Sequence, residues 1–154
     1  MNQDIKVSQW TALLIEQARR AGLSAAAIAE AVHNKDVEPF IQAGLEGERY
    51  TNLFGYSEEH GEPLAQAATE GYRMTFNTRN GLKNWLVQRF GLDEEKDFEV
   101  GEGVIHGLRL TLEQLAALQK ALAVNWVIAG SRDLPGGMVE LDLSIRALQS
   151  ASQA

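Results

Sequence analysis

The succession of apolar and polar positions divides this chain into a helical first part and a mixed second part. Over residues 7–21, Trp10, Leu13, Leu14, Ala18 and Ala21 recur at three- and four-residue spacing, the period of a helix with one buried side. Ser8 stands where an N-cap belongs, and Gly22 where a left-handed residue ends the helix. Ser24 opens a second helix over residues 25–33, with Ala27, Ile28, Ala31 and Val32 inward. Asp36 caps a third, from residue 37 to about residue 45, with Pro39 tolerated in its first turn. Residues 46–62 mix turn formers with Tyr50, Leu53, Phe54 and Tyr56; the acidic, glycine-bearing end reads as a linker, while the aromatics pack back on the helices. A short helix over residues 64–70 follows Pro63 and stops at Gly71.

From residue 71 the period changes. Tyr72, Met74 and Phe76 alternate with Arg73, Thr75 and Asn77, the signature of a half-buried strand. Thr78 or Asn80 then caps a helix whose buried face is Leu82, Trp85, Leu86 and Phe90. Residues 98–100 and 104–110 flank Gly101-Glu102-Gly103 as a hairpin. Thr111 with Gln114 makes a capping box for a helix burying Leu112, Leu115, Leu118 and Leu122. Residues 126–128 are a short apolar run that reads as an extra strand, 131–137 a loop, and Val139, Leu141, Leu143 and Ile145 alternate as a final strand. The expectation is an α+β protein: a helical unit over 1–55, a linker with a short helix over 56–70, an α+β domain over 71–148 and a frayed tail over 149–154. The β-α-β-β-α-β order of the second part predicts an antiparallel sheet of ferredoxin-like arrangement.

In the first part, residues 22–47 resemble a helix-turn-helix of the lambda-repressor-like kind. Ile28 and Ala29 match the apolar and small positions of the first motif helix, and Val32 the next core position. His33 stands where that family usually has a turn glycine, and one extra residue brings Phe40 to the core position of the second motif helix. The resemblance implies DNA binding as a homodimer, since two-fold symmetry doubles the phosphate contacts of a small unit. The second motif helix nevertheless exposes Asp36, Glu38 and Gln42, with Lys35 the nearby base, whereas a groove-reading helix carries cations for phosphates.

Charge changes the picture further. The chain has 154 residues, 45% hydrophobic, no cysteine and a formal net charge of −7. That composition is globular, excludes thiolate chemistry, and disfavours indiscriminate binding to phosphate backbones. Residues 71–92 are the exception, with Arg73, Arg79, Lys83 and Arg89 and no acid, between acidic flanks. No signal peptide opens the sequence and no apolar run approaches the ~18 residues of a membrane span, so a cytoplasmic protein without membrane contact is expected.

Candidate chemistry is sparse. His33, His60 and His106 sit in three separate elements and have no metal-ligand spacing. The acidic runs Glu58, Glu59, Glu62 and Asp93, Glu94, Glu95, Asp97 have the pattern of solvated segments. No nucleophile, phosphate-loop or dinucleotide motif is present, so no catalytic residue, metal or cofactor is expected. The sharpest contact surface is the outside of the helix after Thr78. Asn80, Asn84 and Gln88 form a carboxamide stripe flanked by Arg79 and Lys83, suited to base edges, backbone groups, phosphates or carboxylates. Two functions fit: a small DNA-binding regulator acting as a homodimer through these residues with Lys35 and Gln42, or a protein-interaction module whose helical unit is structural. A small-molecule sensor lined by Tyr72, Phe76 and Trp85 is a third.

Overall fold

Helices and a two-strand ribbon make up the first of two units into which the chain divides after Met74. The structure, a computed structural model, describes residues 5–93, 96 and 98–146. The tail expected to fray (149–154) and the carboxylates of Glu94, Glu95 and Asp97 lie outside the described residues.

The first unit runs β1 (Lys6–Val7), α1 (Gln9–Arg20), α2 (Ala25–Asn34), α3 (Glu38–Gln42), α4 (Gly47–His60), α5 (Leu64–Glu70) and β2 (Arg73–Met74). Ser8 caps α1 as its position predicts, its hydroxyl accepting from the Thr11 N–H at 3.2 Å. The buried side is rotated from the expected one: Thr11, Leu14, Ile15 and Ala18 are inward, while Trp10 is 40% exposed and meets Tyr56 edge-on at 5.3 Å. Glu16 is buried too, because its carboxylate accepts from the Tyr72 hydroxyl at 2.6 Å and so keeps a partner away from water. α2 is capped by Ser24, and α3 is shorter than its pattern, ending where Gly44 takes a left-handed φ of 89° and the Leu45 N–H returns to the Phe40 carbonyl at 2.9 Å.

The largest departure is α4. Residues 47–60, expected as turns of the helical unit running into an acidic linker from residue 56, are one helix, with Tyr50, Leu53, Phe54 and Ser57 buried at helical spacing. Gly55, inside the helix, costs about 1 kcal/mol of helix propensity. Burying Tyr50, Leu53 and Phe54 outweighs that, at about 1.5–3 kcal/mol per large apolar side chain. Tyr50 stacks on Phe40 at 4.0 Å, and its hydroxyl donates to the Leu14 carbonyl at 2.8 Å.

The second unit runs α6 (Arg79–Phe90), β3 (Glu99–Gly101), β4 (Val104–Thr111), α7 (Leu112–Ala121), β5 (Trp126–Leu134) and β6 (Met138–Ile145). Its four strands form an antiparallel sheet in the order β3-β4-β6-β5, against which α6 and α7 pack through β4, so the protein is α+β. The ferredoxin-like arrangement does not form. Its first strand is β2, which pairs in parallel with β1 of the first unit, Arg73 opposite Lys6 and Met74 opposite Val7. β5 extends through residues 131–134, expected as loop, because the following Gly136 and Gly137 supply the positive φ of a hairpin turn. In β4 a register shift between Ile105 and Leu108, with Gly107 at φ 66°, places both of these side chains inside although they stand three positions apart, an offset that in a regular strand puts side chains on opposite faces.

Candidate functional site

The segment joining β2 to α6 makes the site. A strand continued through Phe76 would bury that ring beside Tyr72 and Met74. The chain instead bends at Thr75, and Asn77 turns inward while Phe76 is left 58% exposed. Asn77 can be buried because its polar groups are satisfied. Its side-chain carbonyl accepts from the Ala123 N–H at 2.9 Å, and its N–H donates to Asn125 Oδ1 at 2.9 Å. Its backbone carbonyl accepts from Asn125 Nδ2 at 2.8 Å and from the Trp126 indole N–H at 2.9 Å. Thr78 then caps α6, its hydroxyl accepting from the Gly81 N–H at 3.1 Å; Asn80, the alternative cap, is an exposed residue of the first turn.

This junction lines a pocket of about 900 Å³ with residues 76–79, Gly103, residues 124–126 and residues 145–146. Its surface is chiefly apolar. Phe76 and Val124 are 58% and 64% exposed, and Trp126 and Ile145 complete the walls. The lining residues include two cations and no acid. Arg79 Nη1 reaches the Gly101 carbonyl at 3.4 Å, and Arg146 Nε donates to the Val124 carbonyl at 2.7 Å. Each guanidinium is thus steadied by one main-chain oxygen and keeps further donors for a ligand.

Of the candidate binding residues Arg79, Asn80, Lys83, Asn84, Gln88, Lys35 and Gln42, Arg79 lines this pocket and the other six do not. Asn80 and Asn84 are exposed on α6, and Lys83 and Gln88 are half-buried with contacts of their own. The carboxamide stripe therefore exists as a helix face, opposite the buried Leu82, Trp85 and Leu86, but is not the concave surface. Lys35 and Gln42 belong to the first unit. Lys35 ends α2 in a left-handed conformation and pairs with Glu58 at 3.0 Å, and Gln42 is exposed at the end of α3. Of the proposed sensor residues, Tyr72 and Trp85 are core and only Phe76 meets the pocket. Sequence reading missed Val124, Asn125 and Arg146 and took Trp126 only as the start of a short apolar run; the contact that brings Asn125 to Asn77 spans 48 residues, beyond the reach of local pattern.

Two polar clusters lie outside this pocket. Glu62, expected in a solvated acidic run, accepts from the Ser8 N–H at 2.8 Å and the Thr11 hydroxyl at 2.6 Å. His106 approaches Asp142 at 3.5 Å on an exposed stretch of the sheet, beside the Arg109–Glu140–Arg132 ion pairs. Among the described residues no group of three His, Asp or Glu side chains could hold a metal ion, and no helix is long and apolar enough to cross a membrane. Comparison of the chain with protein-family models, with curated proteins and with solved structures returned no match.

Proposed function

We propose that this chain is a small, non-enzymatic regulatory protein that works as a protein-interaction module, with the pocket at the start of α6 as its docking site. The observation that carries this reading is the convergence of Phe76 and Val124, both more than half exposed, on one concave surface. Exposed large apolar groups cost solubility, and gathered in one place they mark interaction sites. The DNA-binding homodimer implied by the helix-turn-helix resemblance of residues 22–47 has less support. α3 is five residues long and carries Glu38, and the charge of Lys35 is offset by Glu58. A cytoplasmic setting accords with the absence of cysteine.

Retention on nonspecific duplex DNA at low and moderate salt, with an Arg79→Glu/Lys83→Glu variant alongside, tests the choice. The interaction module predicts no salt-steep retention and no difference between the two proteins. Retention that falls steeply with salt and is lost in the variant would overturn it.

A further inference from the structure

Resting on that reading, we infer that the pocket takes a linear segment of a partner protein in which an apolar side chain stands next to a carboxylate. The apolar half of the inference comes from Phe76, Val124, Trp126 and Ile145, which offer a wall no charged group would gain from touching. The anionic half comes from charge complementarity. The protein carries a net charge of −7, yet the residues lining this pocket hold Arg79 and Arg146 and no acid; Glu102, next to the lining residue Gly103, is outside them. Both guanidinium groups are exposed and tethered by main-chain carbonyls, Gly101 for Arg79 and Val124 for Arg146. Arg79 engages Nη1 and Arg146 engages Nε in these contacts, so each keeps a pair of adjacent N–H donors, the number that matches a carboxylate with parallel hydrogen bonds. Duplex DNA would satisfy the two cations but leave Phe76 and Val124 in water. An apolar peptide without an acid would leave the cations beside a closed apolar contact, where losing water has a cost.

The volume agrees with this class of occupant. About 900 Å³ exceeds one side chain and suits an anchor residue with its neighbours, within the range of sites that hold compact ligands.

The test begins with selection of a phage-displayed random-peptide library on the whole chain, followed by anisotropy of a fluorescein-labelled selected peptide. The expected result is enrichment of Phe, Leu or Ile beside Asp or Glu. Affinity should fall ~10-fold or more in Arg79→Glu/Arg146→Glu, as for charge pairs at an interface, and similarly in Phe76→Ser. Lys83→Glu, on α6 outside the pocket, should bind like the parent. Circular dichroism of each variant, all at half-buried or exposed positions, controls for folding. Enrichment of basic peptides, unchanged affinity in the double arginine variant, or equal loss in Lys83→Glu would overturn the inference while the interaction module stands. No enriched peptide at all, or displacement of the peptide by an oligonucleotide, would overturn both.

Discussion

Asn77 and Asn125 hold each other through a reciprocal pair of hydrogen bonds. The Asn77 N–H donates to Asn125 Oδ1 at 2.9 Å, and Asn125 Nδ2 donates back to the Asn77 carbonyl at 2.8 Å. The pair fastens the start of α6 to the start of β5. By drawing Asn77 inward it sets Phe76 outward, so one polar contact creates both a buried junction and the exposed apolar wall beside it.

Asn125→Ala should therefore destabilise the second unit by about 1–3 kcal/mol, because the Asn77 N–H loses its acceptor in a buried place. Chemical denaturation of parent and variant measures this. The same variant should weaken peptide binding, since Phe76 loses its fixed position. Parent-like stability would show that water replaces the amide without cost.

How much of this was legible in the sequence follows from which interactions are local. Ser8, Ser24, Thr78 and the Thr111–Gln114 box cap their helices through contacts three residues away; three of these were readable outright, and Thr78 as one of two candidates beside Asn80. The alternation of Val139, Leu141 and Leu143 gave β6. What was not readable depended on distant partners. α4 read as turns running into a linker because its glycines are local and its packing on Phe40 and Leu14 is not. Phe76 looked buried because the alternation of its neighbours is local, whereas the Asn77–Asn125 contact spans 48 residues. Of the candidate contact residues, Arg79 was found by its place in a basic block; Arg146, isolated near the end of a strand, had no such signal.

Tyr50 should impose an alkaline limit on the first unit. Burial pushes its phenol up to about 12, against a smaller opposing effect of Arg49. The folded state thus holds the proton more tightly than the unfolded chain. Its contribution is whole below an ordinary tyrosine pKa of about 10 and is lost as pH rises towards about 12. Thermal melts across that window should show a steeper fall in Tm for the parent than for Tyr50→Phe. At neutral pH the variant should be less stable by about 1 kcal/mol, having lost the bond to the Leu14 carbonyl. Parallel pH profiles would refute the assignment.

Glu62 ties the end of the α4–α5 turn to the first turn of α1 through the Ser8 N–H and the Thr11 hydroxyl. Glu62→Ala should cost about 1–3 kcal/mol by leaving those donors unpaired. Glu62→Gln, which keeps one acceptor oxygen, should recover part of the loss. Urea titrations of the three proteins would separate this role from a merely solvated carboxylate, for which both variants would match the parent.

Lys35 ends α2 at φ 51°, a conformation that costs a non-glycine residue about 1–2 kcal/mol. Its ion pair with Glu58 is exposed on both sides and contributes about 0–1 kcal/mol. Strain relief is the larger quantity, so Lys35→Gly should raise stability by up to about 1 kcal/mol, read as a higher Tm. A lower Tm would mean that the pair, or the entropy of glycine in the unfolded chain, outweighs the strain.

The central claim, that a partner segment docks at the junction of α6 and β5, is tested most directly by NMR titration of the isotope-labelled chain with a selected acidic–apolar peptide. The account predicts shifts concentrated at the amides of Phe76, Arg79 and Val124 and at the Trp126 indole N–H. Shifts confined to the first unit around Lys35 and Gln42, or to the outer α6 residues Asn80 and Asn84, would contradict it.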